Sequence, residues 1–307
     1  MLPQAEAAQA AHGAAEGGKQ TVDILGHVAN GEHPLIHLPK IFGIDFSISK
    51  HVFMLWVVAA LLFVTVTVIV RRYIRSGSQV PKGSANALEA IVEFVRDSVA
   101  RPNVGDKHVA TWTPVLLTFF LFILGANAIG LIPIFDILAL LNHTVIHAGD
   151  ESFLGRLIHG GATATGNFNV TAGLATVTFF LIIAAGTMAH GFVQHWKNLV
   201  PHGMAWPLYI LLIPTELLGM FVRPFALTMR LAANMTGGHI ALLAILSFVF
   251  IFTEMLGAAA GVGIGLGFSV PLAVGVSGLE IIVVLVQAYV FTLLTAVFIG
   301  MAIHAHH

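Results

Sequence analysis

Long apolar runs dominate this sequence and limit what the chain can fold into. Residues 52–70 carry no charged side chain, and a helix of about 20 residues crosses a hydrocarbon layer about 30 Å thick. Largely apolar runs follow at 112–135, 171–196, 206–256 and 276–303. Hydrophobic residues make up 57% of the chain and charged residues 9%, against about 25% charged residues in soluble domains. The sequence therefore predicts an all-α membrane protein with about five transmembrane helices.

The run at 206–256 contains no clear turn, although Pro214 and Pro224 lie within it. At about 1.5 Å per residue it would measure about 75 Å as one helix, more than twice the hydrocarbon thickness. A hairpin is the alternative, but a lipid-exposed turn at mid-depth would leave backbone groups unpaired. We therefore expect one long, tilted and bent helix. The glycine-rich segment 257–267 predicts a bend between spans or close helix packing, rather than a phosphate-binding loop.

Two segments outside the spans have recognisable patterns. Residues 1–50 combine an Ala-, Gly- and Gln-rich start with short apolar patches and prolines, which predicts a partly disordered extramembrane arm before a membrane domain at 51–307. Residues 84–101 place Leu88 and Val95 on the apolar face of a helix whose other faces are charged. This pattern predicts an amphipathic helix in the membrane interface, which either anchors the chain or contacts a partner.

Positive charges follow the first span closely, at Arg71, Arg72, Arg75 and Lys82. Cytoplasmic loops of membrane proteins carry an excess of Lys and Arg, so this cluster indicates the cytoplasmic side. The N-terminus would then lie outside, and five crossings would return the C-terminus to the cytoplasm.

The rest of the composition argues against several classes of function. The chain has no cysteine, which excludes disulfides, thiolate catalysis and Cys-ligated clusters. Its net charge of −1 and scattered basic residues do not suggest nucleic acid as a partner. Its 16 histidines are scattered too, and we expect those before the first span and in the C-terminal tail to be solvated. We therefore expect neither a metal nor a cofactor.

Three charged side chains lie well inside the run at 206–256, away from Glu254 near its end. Glu216, Arg223 and Arg230 are seven residues apart, so they form one stripe along a helix, with Asn234 one turn beyond Arg230. A charge at the bilayer centre costs about 2.5–3.5 kcal/mol. These side chains must therefore face protein, water or a partner rather than lipid.

Further polar groups interrupt the apolar sequence at His239 and, in the last span, at Glu280 and Gln287. On an ideal helix His239 lies opposite Arg230, whereas Glu280 and Gln287 share one face. A proton crossing a membrane needs titratable or hydrogen-bonding groups from each surface and a barrier between the two routes. Arg230 suits the barrier, because its guanidinium stays charged and can attract a carboxylate of a neighbouring subunit.

Two stretches carry a family resemblance. TMRLAANMTGGH at 228–239, followed by GLEIIVVLVQAYVF at 278–291, resembles the proton-channel subunit a of F-type ATP synthases, and the order of apolar runs is similar over roughly 45–303. The resemblance implies a stator subunit with two offset half-channels, which load and unload carboxylates of a rotating proteolipid ring. The implied partners are that ring (subunit c), the peripheral stalk (subunit b), the rest of the synthase and the lipid bilayer. The subunit would sit in a bacterial plasma membrane and would not be catalytic alone.

The resemblance also implies roles for the polar side chains. Arg230 would meet the ring carboxylate with Asn234 beside it, Glu216 would serve the cytoplasmic half-channel, and the outer half-channel would hold His239, Glu280 and Gln287. Many bacterial relatives resemble this chain with an acid at the position of His239 and a histidine at that of Glu280. We infer from this apparent exchange that His239 and Glu280 are neighbours across a helix interface.

Structural alternatives stay open for these residues. Glu216 can pair with Arg223, Arg230 can pair with Glu216 or Glu280, and Asn234 and Gln287 can make interhelical hydrogen bonds without a role in transport. An ion-coupled secondary transporter or a channel is the alternative function. Transporters often contain two related halves, and the sequence shows no internal repeat.

Overall fold

In the computed structural model of the chain, the described residues are 35, 47–77, 80–132, 138, 141, 142, 144, 147, 149, 152, 155, 164–197 and 206–304. Most of the predicted arm at 1–50 and most of the predicted outer segment at 142–169 lie outside these residues. The described part of the chain is helical and contains no strand. The all-α prediction is therefore confirmed.

Nine α-helices follow one another in the described residues. They are α1 (Lys50–Ser76), α2 (Ser84–Glu93), α3 (Arg101–Val104), α4 (Val109–Leu131), α5 (Phe168–His190), α6 (Phe192–Lys197), α7 (Trp206–Leu256), α8 (Ala258–Ile264) and α9 (Val270–Ile303). Two π-helical segments, Phe94–Ala100 and Gly265–Ser269, join α2 to α3 and α8 to α9, and a 3-10 turn at Ala164–Gly166 precedes α5.

Five helical segments are long and apolar enough to cross a membrane: Lys50–Ser76, Val109–Leu131, Phe168–His190, Leu208–Leu256 and Ala258–Ile303. This confirms the predicted multi-span architecture. Two of them begin at side-chain caps, because the Ser49 hydroxyl accepts a hydrogen bond from the N–H of Val52 and the Asn167 amide oxygen accepts one from the N–H of Asn169.

The third span is shorter than the sequence predicts. We expected one apolar segment at 171–196, but α5 ends at His190 and the separate helix α6 begins at Phe192. Gly191 lies between them with φ 84°, a backbone conformation that favours glycine and turns the chain out of the helix. The second span likewise ends at Leu131, before the predicted limit of 135.

The fourth span is the single long helix that the sequence predicts. α7 runs unbroken for 51 residues, with Pro214 and Pro224 inside it. A helix of this length measures about 75 Å, so it must be strongly inclined to remain within a membrane about 30 Å thick.

A single glycine connects α7 to the last helices. Gly257 has φ 84°, whereas the other glycines of 257–267 are helical, so the predicted glycine-rich bend is limited to one residue. A Cβ atom at Gly261 would collide with the backbone of Thr253, and one at Gly265 would come within 2.7 Å of Val249. The glycines after the turn therefore allow the returning helix to lie directly against α7.

α9 is the central helix of the bundle. It lies antiparallel to α7, since Asn234 contacts Gln287 and Arg223 contacts Phe298, and it packs against α4 and α5 as well. The core between these helices includes the fully buried side chains of Leu116, Ile123, Leu227, Leu231 and Ile299.

The second half of the amphipathic segment at 84–104 packs along the C-terminal half of α9, where Phe94 lies beside Tyr289 and a Cβ atom at Gly300 would collide with Asn103. Val95 and Val99 are fully buried in the common core, and the ring of Phe94 lies 5.7 Å from that of Tyr289 on α9. On the exposed side, Arg96 donates hydrogen bonds to Asp97 and holds the pKa of that carboxyl below its ordinary value. The predicted amphipathic helix is present, and its place in the membrane interface stays a prediction.

α6 folds back onto the end of α5 through His195. The imidazole fills a notch at Gly186, where any Cβ atom would collide with the ring. The ring is buried, and burial, followed by the charge of nearby His190, lowers the pKa of His195. Its Nε2 atom has no hydrogen-bond partner among the described residues.

We predict that acid weakens the docking of α6. The undocked imidazole has the higher pKa, so docking is fully favourable above the ordinary histidine value of about 6.5 and is lost progressively as the pH falls below it. Hydrogen exchange at 192–197, corrected for its intrinsic pH dependence, should therefore rise between pH 7.5 and pH 5.5.

His195→Phe is the matched control, because it fills the notch without titrating and should remove the pH dependence. Gly186→Ala should raise exchange at every pH, since overpacking costs about 1–3 kcal/mol. Equal corrected exchange at both pH values in the unmodified chain would contradict this account of His195.

Candidate functional site

α7 carries the three charged side chains in the predicted stripe, and the one nearest its middle is exposed. Arg230 has no hydrogen bond or ion pair within the described part of the chain. Its exposed neighbours on the same helical face are Ala226, Ala233 and Asn234, whose short side chains leave the guanidinium accessible. The alternative in which Arg230 pairs with Glu216 or Glu280 is therefore not what the structure contains.

One turn beyond Arg230, two amides join α7 to α9. The Asn234 Nδ2 donates to the Gln287 Oε1 at 3.0 Å, and Gln287 is buried. The interhelical hydrogen bond considered for these residues is thus present. It also keeps both amides at the depth of Arg230.

Glu280 and His239 come together where α9 meets the next turn of α7. Glu280 is buried, and a Cβ atom at Gly238 would collide with its Oε1. The Glu280 carboxyl interacts electrostatically with His239, and the Nε2 of His239 is buried without a hydrogen-bond partner among the described residues. The inference that these two residues are neighbours agrees with this arrangement.

Glu216 lies toward the N-terminal end of α7 and has a partner. The Arg223 Nη2 donates to the Glu216 Oε1 at 3.1 Å, which is the alternative that the seven-residue spacing allowed. Glu216 and Arg230 are fourteen residues apart, about 21 Å along the helix, so they do not form a local pair.

Sequence reasoning missed two contacts within this site and several buried polar groups of the described residues. Gly238 gives room to Glu280, and the Phe298 ring lies under the Arg223 guanidinium at 5.8 Å. Asn127, Thr165 and Ser269 are buried with polar atoms that have no partner within the described residues. An amide inside an apolar run is a usable signal for Asn127, whereas a hydroxyl such as those of Thr165 and Ser269 is too common to give one.

The arrangement separates two polar groups along α7. Glu216 and Arg223 lie on one side of Arg230, and the cluster of Asn234, Gln287, His239 and Glu280 lies on the other. Among the described residues there is no group of three His, Asp or Glu side chains that could hold a metal ion. Chemically, the site has a carboxyl group on one side of a permanent cation and a carboxyl and an imidazole group on the other, and these are groups that can exchange protons.

Comparison with known proteins matches the sequence of this chain to one family. The family model described as ATP synthase A chain covers residues 52–300. The ATP synthase subunit a 2 of Chlorobium luteolum is 42% identical over 86% of this chain and 68% of its own length. The ATP synthase subunits a of Chlorobium phaeobacteroides and Chloroherpeton thalassium are 40% and 38% identical, over 99% and 94% of this chain and 82% and 79% of their own lengths. The chain therefore belongs to the ATP synthase subunit a family.

Proposed function

We propose that this chain is the proton-translocating stator subunit, with two offset half-channels that load and unload carboxylates of a rotating proteolipid ring. Family membership makes it a multi-pass membrane subunit of the ATP synthase that takes part in ATP synthesis and ion transport. The observation that carries the finer proposal is the exposed Arg230, which has no ion-pair partner in the described chain and lies within an apolar segment long enough to span a membrane. No comparable observation favours the secondary transporter or channel.

Arg230 is the barrier between the half-channels and the partner of the ring carboxylate. Its guanidinium does not release a proton at physiological pH, so it blocks direct transfer along α7. A carboxylate that approaches it is favoured in its ionised form and gives up its proton. The small exposed side chains on the same helical face, Ala226 and Ala233, leave room for a helix of the proteolipid ring to approach the guanidinium.

The outer half-channel contains Glu280, His239 and the amides of Asn234 and Gln287, and the cytoplasmic half-channel contains Glu216. Polar atoms that are buried without a partner, such as the His239 Nε2, are suited to hold water along the outer route. The separation of the two groups by Arg230 is what makes the half-channels offset.

The orientation and the remaining partners belong to the same proposal. The basic residues after α1 favour a cytoplasmic position for 71–82, with the N-terminus outside a bacterial plasma membrane and the C-terminus in the cytoplasm. The arm at 1–50 is an extramembrane segment attached to the channel domain at 51–307. The charged surface of 84–104 is then cytoplasmic and suits contact with the peripheral stalk.

Arg230→Ala should abolish ATP synthesis driven by a proton gradient, because the ring carboxylate loses its cation. Arg230→Lys should also be severely impaired, since an ammonium lacks the planar fork of the guanidinium. The measurement is ATP formation by energised vesicles, with copurification of the ring as the control for assembly. Synthesis at the unmodified rate by an assembled Arg230→Ala complex would reject the coupling role.

Exchanging His239 and Glu280 tests whether these two residues act together in the outer half-channel. His239→Glu alone should lose most proton pumping, because it places two carboxyl groups together. The double change His239→Glu with Glu280→His restores one acid and one imidazole and should recover a substantial part of the rate, which a double-mutant cycle quantifies. A double variant no better than the worse single variant would mean that the two residues act separately.

Single cysteines test the orientation, because the natural chain has none. Ser76→Cys should resist an impermeant maleimide added outside intact cells and should react in inverted vesicles. Thr144→Cys, in the segment predicted to lie outside, is the matched control and should react in intact cells. Labelling of Ser76→Cys in intact cells would reverse the proposed topology.

A further inference from the structure

The ion pair between Glu216 and Arg223 spans two turns of one helix. A spacing of seven residues corresponds to about 10.5 Å along the axis, well beyond the usual separations of three or four residues for helical ion pairs. Both side chains must therefore extend toward each other along the surface of α7. The 3.1 Å contact between the Arg223 Nη2 and the Glu216 Oε1 shows that they do.

Gly219 lies under this bridge. It is three residues after Glu216 and four before Arg223, so it occupies the same helical face. A Cβ atom built there would lie 3.8 Å from the Arg223 Nη2, an ordinary van der Waals contact, so a longer side chain at this position would extend beside the guanidinium. With glycine at position 219, no side chain stands between those of Glu216 and Arg223.

The facing helix provides a second contact for the guanidinium. The Arg223 Cζ lies 5.8 Å from the centroid of the Phe298 ring on α9, within the range of a cation–π interaction. Arg223 is thus held between α7 and α9, whereas Glu216 is the more exposed member of the pair, with 40% of its side chain accessible against 28% for Arg223.

We infer that Arg223 is a positioning residue for proton transfer, which holds the Glu216 carboxylate in place along α7 on the cytoplasmic side of Arg230. The inference rests on the proposed role of Glu216 in the cytoplasmic half-channel. Arg223 itself stays charged and passes no proton. Its effect is electrostatic, because an adjacent cation favours the ionised form of a carboxyl group.

Arg223 is the ion-pair partner of Glu216 within the described residues. Other ionisable side chains on α7 are Tyr209, Arg230, His239 and Glu254, and those on the helices packed against it are His190 of α5 and Glu280 and Tyr289 of α9. None of these makes a hydrogen bond or ion pair with Glu216 in the described structure. Removing Arg223 should therefore change the titration of the cytoplasmic route more than that of the outer one.

The experiment measures ATP-driven proton uptake by inverted vesicles, whose outer surface is the cytoplasmic one, between pH 6 and pH 9. In Arg223→Gln the profile should shift from the unmodified one, because the Glu216 carboxylate loses the adjacent cation that holds it along α7. Arg223→Lys retains the charge and should stay closer to the unmodified profile. The ring and the catalytic subunits should copurify with every variant.

Gly219→Leu separates the pair without removing either charge, so its profile should shift in the same direction as that of Arg223→Gln. Gly173→Leu is the matched control, because it makes the same change on α5 at a position where a Cβ atom has nothing within 4 Å. Its profile should remain unchanged. An unshifted profile in both Arg223→Gln and Gly219→Leu would overturn the inference.

Glu216→Gln distinguishes failure of the inference from failure of the proposed function. If Glu216→Gln pumps like the unmodified complex at every pH, the proposed role of Glu216 is wrong and the inference falls with it. If Glu216→Gln is impaired while Arg223→Gln and Gly219→Leu keep the unmodified profile, the half-channel role survives and Arg223 only stabilises the helix pair.

Discussion

The register between α7 and α9 decides where every ionisable group of the site lies. It is set at one end by the turn at Gly257 and the close approach of the glycines that follow it. The amide hydrogen bond between Asn234 and Gln287 sets it at mid-length. A slip of one residue moves a side chain about 1.5 Å along the axis and about 100° around it. Such a slip would separate Glu280 from His239, so the polar groups depend on apolar packing elsewhere in the same helix pair.

The spans were predictable from the sequence because hydropathy and the absence of helix breakers are local properties. The same reasoning correctly favoured one long helix over a hairpin at 206–256. Helix ends were less predictable. α5 ends where Gly191 adopts a positive φ, and the sequence alone does not show which backbone conformation a glycine adopts. The run at 257–267 shows the same limit, because one of its glycines forms the turn and the others allow helices to approach closely.

The site was predictable only where it depends on a single helix. The spacing of Glu216, Arg223 and Arg230 is fixed by helical geometry, so both their common stripe and the Glu216–Arg223 pair followed from counting residues. Contacts between helices are different, because no residue count relates Arg223 to Phe298 or Gly238 to Glu280. The nearness of His239 to Glu280 came instead from comparing two positions with a resembling family, which carries information about register that hydropathy lacks.

The two arginines of α7 show why one of them is suited to a partner outside the chain. Arg223 has an acid seven residues away, a glycine between the two and an aromatic ring on the facing helix. Around Arg230, the helical neighbours at three, four and seven residues in both directions are Ala226, Leu227, Ala233, Asn234, Arg223 and Gly237, and none is acidic. In lipid, an unpaired charge at mid-depth costs about 2.5–3.5 kcal/mol. The exposed surface around Arg230 is therefore better suited to contact with water, or with a partner that carries a compensating negative charge, than to contact with lipid.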